Sequence, residues 1–358
     1  MKKSIGFFFF FFLLASILCG CVAGILVPAR TLMAQPLPTS TPLVISTALP
    51  APEFTLLAVG DIMLGRRIYK NIQKRGSEEY PFGKVKEVLS TGDLLFGNLE
   101  APFCKKGTKP ISLTKEVLLR APVEAAPILG RAGFNMVSLA NNHSLDYGQV
   151  GLETTLKVLD QQQITAIGVY KRKEKKQTPF YLEQKGIRFV FLAYSSVSPA
   201  LFDDHQIDLV VAPSYLPEVK RSIQEASTKS DFVIVSFHWG IEDQNNPTEA
   251  QIKMAHAAVD AGAALVIGHH PHVLQGVEIY KQGIIFYSLG NFVFDIQREA
   301  TWQSVILKVV FQKNGIENYK LIPVVLEEGQ PQLAEGDRKA AILKKIYEYS
   351  LPLNSISE

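Results

Sequence analysis

The chain has 358 residues, of which 47% are hydrophobic and 20% charged, and its formal net charge is +3. This length fits one large domain or two smaller ones, with ample apolar residues for a core. Charge so close to neutral gives no sign of a nucleic-acid surface, which needs clustered Lys and Arg, so we expect no nucleic-acid partner. The densest basic run, residues 171–176, is interpreted first as a solvated loop and second as a binding site for an anionic polymer.

Residues 1–27 have the pattern of an export signal. Lys2 and Lys3 precede an apolar stretch over residues 5–18, and a Leu-Cys-Gly-Cys sequence ends at Cys21. This ending resembles the lipobox of bacterial lipoproteins, in which Cys21 is lipidated. Because apolar residues continue to Val27, an uncleaved signal anchor is the alternative. Both interpretations predict that the protein is anchored at its N-terminus to the extracytoplasmic face of the cell membrane.

The rest of the chain divides into three parts. Residues 28–53 are rich in Pro, Thr, Ser and Ala and carry almost no charge. Such a segment favours extended conformations and is predicted to be a linker. A folded domain is predicted over residues 54–335, followed by a C-terminal helix and tail over 336–358.

Short apolar runs alternate with amphipathic stretches throughout the predicted domain. Runs typical of strands lie at 54–59, 94–96, 134–139, 231–237, 264–267 and 284–289. Helical spacing of apolar residues is found at 117–132, 151–163, 214–229 and 248–261. This alternation predicts an α/β architecture with a partly parallel sheet. Turns near residues 185, 282 and 314 predict hairpins, so antiparallel strands are mixed in.

Polar side chains follow each of the six predicted strands. In an open α/β sheet, ligands bind beyond the carboxyl ends of the strands, so these side chains are expected to share one site. Carboxylates with imidazoles suit Zn, Mn or Fe, and one carboxylate can bridge two ions that together activate a water. We therefore predict one or two divalent metal ions. The predicted metal ligands are Asp61, Glu100, Asn142, His238, His270 and His272.

His143 is predicted to be catalytic, as a proton donor or oxyanion stabiliser, because adjacent residues such as Asn142 and His143 rarely reach the same ion. Asp146, three residues further on, would fix the tautomer of the His143 ring. Other side chains at the same strand ends are predicted to contact substrate. These are Asn98, Asn141, Trp239, His269 and Asn291.

Simpler structural roles remain open for several of these residues. Asp61 could be a helix N-cap, and Glu100 could pair with a surface cation. Asn141 and Asn142 could form a turn. The GHHPH sequence at 268–272 is harder to explain structurally, because three histidines after a buried strand are costly unless they are exposed or ligated.

Five motifs occur in a recognisable order: AVGDIMLG at 58–65, GNLE at 97–100, SLANNH at 138–143 followed by DYG at 146–148, GHHPH at 268–272, and SLGNF at 288–292. They resemble the CapA family of capsule or poly-γ-glutamate biosynthesis proteins, over roughly residues 54–325. The resemblance implies the calcineurin-like metallophosphoesterase fold, which is a four-layer α/β/β/α sandwich with mixed sheets and a dinuclear metal centre.

Two positions depart from the phosphoesterase pattern. Met63 stands where that pattern has a histidine, so one ligand is missing or replaced. Glu100 stands where the pattern has a bridging Asp, with Asp93 as the competing choice. These departures weaken the case for an ordinary two-metal phosphatase but leave metal binding in place.

The resemblance also implies a biological role in making or exporting poly-γ-glutamate or a similar anionic envelope polymer. Membrane subunits of capsule synthesis are the implied protein partners. Two hypotheses follow: a metal-dependent hydrolase or transferase acting on phosphoester or amide bonds, and a non-catalytic module that binds the polymer or assembly partners. Met63 favours the second hypothesis, and the pairing of His143 with Asp146 favours the first.

Overall fold

A computed structural model describes residues 52–77, 79–111, 115–198, 208–296 and 298–355. The predicted export signal with Cys21, and nearly all of the predicted linker, lie outside the described residues. Among the helices that are described, none combines the length and the apolar character needed to cross a bilayer.

The described residues contain strands and helices in alternation, as the hydrophobic pattern predicts. The strands are β1 (Phe54–Ile62), β2 (Leu94–Leu99), β3 (Phe103–Cys104), β4 (Ala121–Pro122), β5 (Met136–Ser138), β6 (Thr165–Ile167), β7 (Val169–Lys171), β8 (Phe180–Gln184), β9 (Ile187–Ser195), β10 (Leu209–Val211), β11 (Phe232–His238), β12 (Ala263–His269), β13 (Val277–Tyr280), β14 (Gly283–Phe286), β15 (Asn291–Val293), β16 (Gln303–Gln312), β17 (Gly315–Glu327) and β18 (Gln330–Leu333). The helices are α1 (Arg66–Arg75), α2 (Lys86–Leu89), α3 (Ala126–Arg131), α4 (Gly148–Gln161), α5 (Leu216–Ser227), α6 (Glu249–Asp260) and α7 (Gly336–Asn354).

Two mixed sheets form the centre of the fold. The eight-stranded sheet has the order β18-β17-β16-β1-β2-β5-β6, with β15 also paired to β1, and the six-stranded sheet has the order β13-β14-β12-β11-β9-β8. Strands β1, β2, β5 and β6 are parallel, as are β9, β11, β12 and β14. Antiparallel hairpins join β8 to β9, β13 to β14 and β16 to β17, at the three predicted turns.

The sheets pack face to face, with helices outside them. Phe189 of the six-stranded sheet contacts Phe54 and Phe311 of the eight-stranded sheet, with ring centroids 4.4 and 5.2 Å apart. Next to Phe189, Val190 points to the opposite face and packs in a second core cluster with α5 and α6. Because successive side chains of a strand alternate in direction, a strand that is apolar throughout must be covered on both faces. The result is a four-layer α/β/β/α sandwich.

One predicted helix is much shorter than the sequence indicates. Helical spacing predicts a helix over 117–132, but only α3 forms, and β4 occupies part of the segment before it. Pro122 has extended backbone angles, with φ −72° and ψ 150°, and its ring disfavours helical geometry in the preceding residue. The prediction of a long helix here is therefore wrong, because apolar spacing alone does not account for proline.

The end of β1 depends on a close backbone approach at Gly60. A Cβ atom placed on Gly60 would lie 1.8 Å from the carbonyl oxygen of Gly290, which accepts the N–H of Asp61 at 3.0 Å. We expect Gly60→Ala to lower the free energy of unfolding by at least about 3 kcal/mol, because backbone must move to relieve the overlap. Urea unfolding checks this.

Gly315→Ala is the matched control for Gly60→Ala. No described atom lies within 4 Å of a Cβ placed on Gly315. We expect that variant to unfold within about 1 kcal/mol of the wild type, in the range of ordinary surface substitutions. Equal losses in the two variants would contradict the explanation by backbone overlap.

Candidate metal centre

The two sheets bring the predicted strand ends together at one edge. Asp61 on β1 lies opposite Asn98 on β2 and Asn291 on β15. In the other sheet, His238 on β11 lies opposite His269 on β12. Parallel strands end on the same side of a sheet, so the register alone places these polar side chains in one crevice.

Three groups of potential metal ligands occur among the described residues. In each group, the ligand atoms all lie within 4.8 Å of one another. The first group is Asp61, Glu100 and His272, the second is Glu100, His238 and His270, and the third is Glu242, His270 and His272. Asn142 adjoins the second group, since its Oδ1 lies 2.9 Å from Nε2 of His238. All six predicted metal ligands therefore lie at one place, and Glu100 is common to two groups.

Glu100 provides the test of whether a cation fits these residues. It is completely buried, and neither of its carboxylate oxygens has a hydrogen-bond partner among the described residues. Burial raises the pKa of Glu100 well above its usual range. Native proteins rarely leave buried polar atoms unpaired, because each such group costs about 1–3 kcal/mol. Nδ1 of His270 is buried and unpaired among these residues too, so the donor set fits a divalent cation.

Asp61 is held in the charged form by its surroundings. Burial alone would raise the pKa of this carboxyl, but the imidazoles of His269 and His272 keep it well below its usual range. The amide of Asn98 donates to Oδ1 of Asp61 at 2.8 Å, and the N–H of His270 donates to Oδ2 at 3.2 Å. A carboxylate fixed in this way is ready to bind a cation.

The histidines divide by charge. Burial lowers the pKa of His238 well below its usual range and that of His270 to about 3, so both rings are neutral, as ligands must be. Burial acts on His272 in the same direction, but the carboxylates of Glu100 and Asp61 raise the pKa of His272 to about 10. A cation bound at this place would displace the proton from His272, because a histidine ligand must be neutral.

The loop that carries His270 and His272 has an unusual backbone. Both residues have positive φ angles, 96° and 60°, in the left-handed region that non-glycine residues rarely adopt. Each such residue costs about 1–3 kcal/mol and is found mainly at functional sites. This strained geometry supports a role for the two rings in binding.

His143 lies beside the ligand groups and pairs with Asp146. Its Nδ1 is 2.7 Å from Oδ2 of Asp146, and its Nε2 is 3.9 Å from Oε1 of Glu100. Lys115, which no sequence motif singles out, contacts the other oxygen of Asp146 and donates to the carbonyl oxygen of Asn142 at 2.8 Å. Burial lowers the pKa of His143 although Asp146 acts to raise it. The His143 ring is thus fixed with Nε2 toward the ligands.

Three of the residues predicted to contact substrate are buried among the candidate metal ligands. Asn98, Asn141 and Asn291 are buried and hydrogen-bonded within the site. Asn141 donates to Oδ1 of Asn98 at 3.0 Å, and Oδ1 of Asn291 lies 2.9 Å from Nδ1 of His272. Their amides therefore fix the side chains of candidate ligands by hydrogen bonds.

Two further predicted substrate contacts are also buried. His269 lies beneath Asp61, with 3.5 Å between its Nδ1 and Oδ1. Trp239 is not brought into the site, because it packs in the second core cluster against Phe237 and donates its indole N–H to the carbonyl oxygen of Tyr287 at 2.9 Å.

The structure excludes the simpler roles considered for Asp61 and Glu100. Asp61 lies inside β1 and does not cap α1, whose N-cap is Gly65. Glu100 has no exposed surface, which excludes a surface ion pair. Met63 is buried, and its sulfur accepts the N–H of Gly65 at 3.1 Å.

Asp93, the competing choice for a bridging carboxylate, lies at the other end of β1. It accepts the N–H of Thr55 at 2.8 Å and pairs with Lys185. Glu100, unlike Asp93, therefore lies among the candidate metal ligands.

A cavity of about 440 Å³ opens beside these residues. His143 and His272 reach it from the site, and Glu242, Arg66 and Arg298 lie around it. Its wall includes the apolar side chains of Phe294 and Ile296. The candidate site is therefore accessible to a ligand that carries charge.

Two packed mixed sheets with this polar edge define a metallophosphoesterase-like fold. A phosphatase of solved structure from Mycoplasma pneumoniae has the same architecture, with a TM-score of 0.51 at 14% identity over 83% of this chain and 99% of that one. Residues 55–296 match the model of the family described as bacterial capsule synthesis protein PGA_cap, and the chain belongs to that family. The resemblance predicted from the motifs is confirmed.

Curated relatives agree with the family assignment. The chain is 35% identical to the capsule biosynthesis protein CapA of Bacillus anthracis over 285 residues, which is 78% of this chain and 69% of that protein. It is 34% identical to the PGA biosynthesis protein CapA of Bacillus subtilis over 281 residues, 78% of this chain and 73% of that protein.

Proposed function

We propose that this protein takes part in capsule or poly-γ-glutamate synthesis or export as a metal-dependent hydrolase of an anionic envelope polymer. The observation that carries the proposal is Glu100, a buried carboxylate shared by two ligand groups whose oxygens have no hydrogen-bond partner among the described residues. The names of the relatives support the biological process.

Asp61, Glu100 and His272 would hold one divalent ion, Zn, Mn or Fe. A second would be held by Glu100, His238 and His270 together with Asn142. When bound, such ions polarise a phosphoryl or carbonyl oxygen and acidify water. His143 would donate a proton to the leaving group from Nε2, while Asp146 holds the ring through Nδ1. Lys115 would fix Asp146 and the carbonyl group of Asn142.

The proposal includes the location that the N-terminal sequence predicts. A lipidated Cys21, or a retained helix within residues 1–27, would anchor the chain to the membrane, and residues 28–53 would act as the linker. The folded domain would then meet the polymer and the membrane subunits of capsule synthesis on the extracytoplasmic face.

Metal analysis of the purified full-length protein tests the site. We expect stoichiometric Zn, Mn or Fe in the wild type, and loss of at least half of it in His270→Ala and in His272→Ala, because each substitution removes a ligand. His256→Ala is the matched control, since His256 also pairs with a buried carboxylate, Glu278, at 2.9 Å, but belongs to none of the ligand groups. A wild-type protein without metal, whose unfolding is unchanged by chelator, would refute the proposal.

A binding module is the second candidate function, and Met63 favours it. Its sulfur is engaged by the N–H of Gly65 at 3.1 Å, at the position where the phosphoesterase pattern has a histidine ligand. Stoichiometric metal without hydrolysis of phosphodiester or γ-glutamyl model substrates would select this second function.

A further inference from the structure

Glu242 lies beside the candidate ligands His270 and His272, in a site that has Met63 where the phosphoesterase pattern has a histidine. The group of Asp61, Glu100 and His272 supplies three protein ligands, and Met63 offers no nitrogen or oxygen beyond them. Glu242 forms its own group with His270 and His272, and its ligand atom lies within 4.8 Å of theirs.

The loop that carries Glu242 is hydrogen-bonded to the loop that carries His270 and His272. The N–H of Asp243 donates to the carbonyl oxygen of Pro271, between the two histidines, at 2.9 Å. Further along, Asn245 donates to the carbonyl oxygen of Leu274 at 2.9 Å. A side chain carried on a loop tied in this way has a defined position relative to His270 and His272.

We propose that Glu242 is a further metal ligand, acting with His270 and His272, and that its carboxylate compensates for the histidine missing at position 63. This inference rests on the proposed function, because it requires that the site binds metal. A carboxylate oxygen is a suitable substitute, since Zn, Mn and Fe all accept mixed nitrogen and oxygen ligands.

An ordinary surface ion pair explains Glu242 less well. Its carboxylate is 3.8 Å from Arg298, whereas the neighbouring Asp243 is 2.9 Å from the same guanidinium. Arg298 therefore pairs mainly with Asp243. Glu242 also lines the cavity, together with His272 and His143, on the side from which a ligand would enter.

A second observation points to a ligand at this place. Nδ1 of His270 is buried and has no hydrogen-bond partner among the described residues, and the residue as a whole is only 5% exposed. The backbone of His270 and of His272 adopts the positive φ angles described above. Two imidazoles on a strained backbone, with ligand atoms within 4.8 Å of a carboxylate oxygen, are better explained by a shared cation than by packing.

Zinc and manganese titrations of the metal-free full-length protein test the inference, with Glu242→Gln compared with Asp243→Asn. The first variant removes the proposed ligand, and the second removes the neighbouring acid that pairs with Arg298. We expect Glu242→Gln to weaken one class of metal site at least about tenfold, in line with losses seen when groups that support a metal are removed. Asp243→Asn should bind metal as the wild type does.

Two outcomes would overturn the assignment, and they are distinguishable. If Glu242→Gln binds both metals with wild-type affinity and stoichiometry, Glu242 is no ligand, while the proposed function stands. If the wild type itself binds neither metal, the proposed function and this inference both fail. Glu242 is half-exposed, so its substitution leaves the core unchanged, and thermal melting of the metal-free variants confirms that they are folded.

Discussion

His143→Ala should lower the rate of phosphodiester hydrolysis by about 10²–10⁴-fold, the usual contribution of a general acid. The reason lies in its geometry: Nδ1 is occupied by Asp146 at 2.7 Å, and Nε2 is directed toward Glu100 at 3.9 Å. His143 belongs to none of the ligand groups, so the metal content of the variant should remain that of the wild type. Steady-state kinetics with a phenyl phosphodiester, alongside metal analysis, measures both quantities.

Changing the leaving group separates proton donation from other roles of His143. A nitrophenyl ester releases a weakly basic phenolate that needs little protonation, so His143→Ala should lose much less activity on that ester than on the phenyl ester. Equal losses on the two esters would show that His143 stabilises charge on the substrate without donating a proton. No loss on either ester would favour the binding module.

The position of the site could be predicted from the sequence because the site residues come directly after the apolar runs that form strands. Apolar runs that end in polar residues define strands buried on both faces, and parallel strands bring those ends to one edge. Asp61, Glu100 and His238 could be placed together on that basis alone. The family motifs added the four-layer sandwich and the departure at Met63.

Lys115 and Glu242 could not be predicted in the same way. Lys115 reaches Asp146 across 31 positions of sequence from an irregular segment, and Glu242 depends on a loop fixed by hydrogen bonds to another loop. Such contacts have no periodic signal in the sequence. The burial of Asn98 and Asn141 among the candidate ligands could not be predicted either, because the strand pattern does not show whether a polar side chain at a strand end is covered.

Replacing Glu100 should remove metal binding and yet raise the free energy of unfolding of the metal-free protein. Glu100→Met should abolish binding of both ions, since Glu100 belongs to two ligand groups. In chelator, however, the variant should be more stable than the wild type by about 1–3 kcal/mol, the cost of a buried polar group without a hydrogen-bond partner. His272 keeps Asp61, at 3.3 Å, as its counter-ion in this variant. The cause is that neither oxygen of Glu100 has a hydrogen-bond partner among the described residues.

Glu278 provides the control for Glu100→Met, because it is an equally buried glutamate whose oxygens are bonded. Tyr287 donates to one of them at 2.6 Å, and His256 lies 2.9 Å from the other. Glu278→Met should therefore destabilise the protein by about 1–3 kcal/mol, since it leaves a buried tyrosine hydroxyl unpaired, and should leave metal binding intact. Urea unfolding with and without chelator measures both variants. If Glu100→Met loses as much stability in chelator as Glu278→Met, Glu100 has a structural role, and the case for a bridging ligand built on its unpaired oxygens fails.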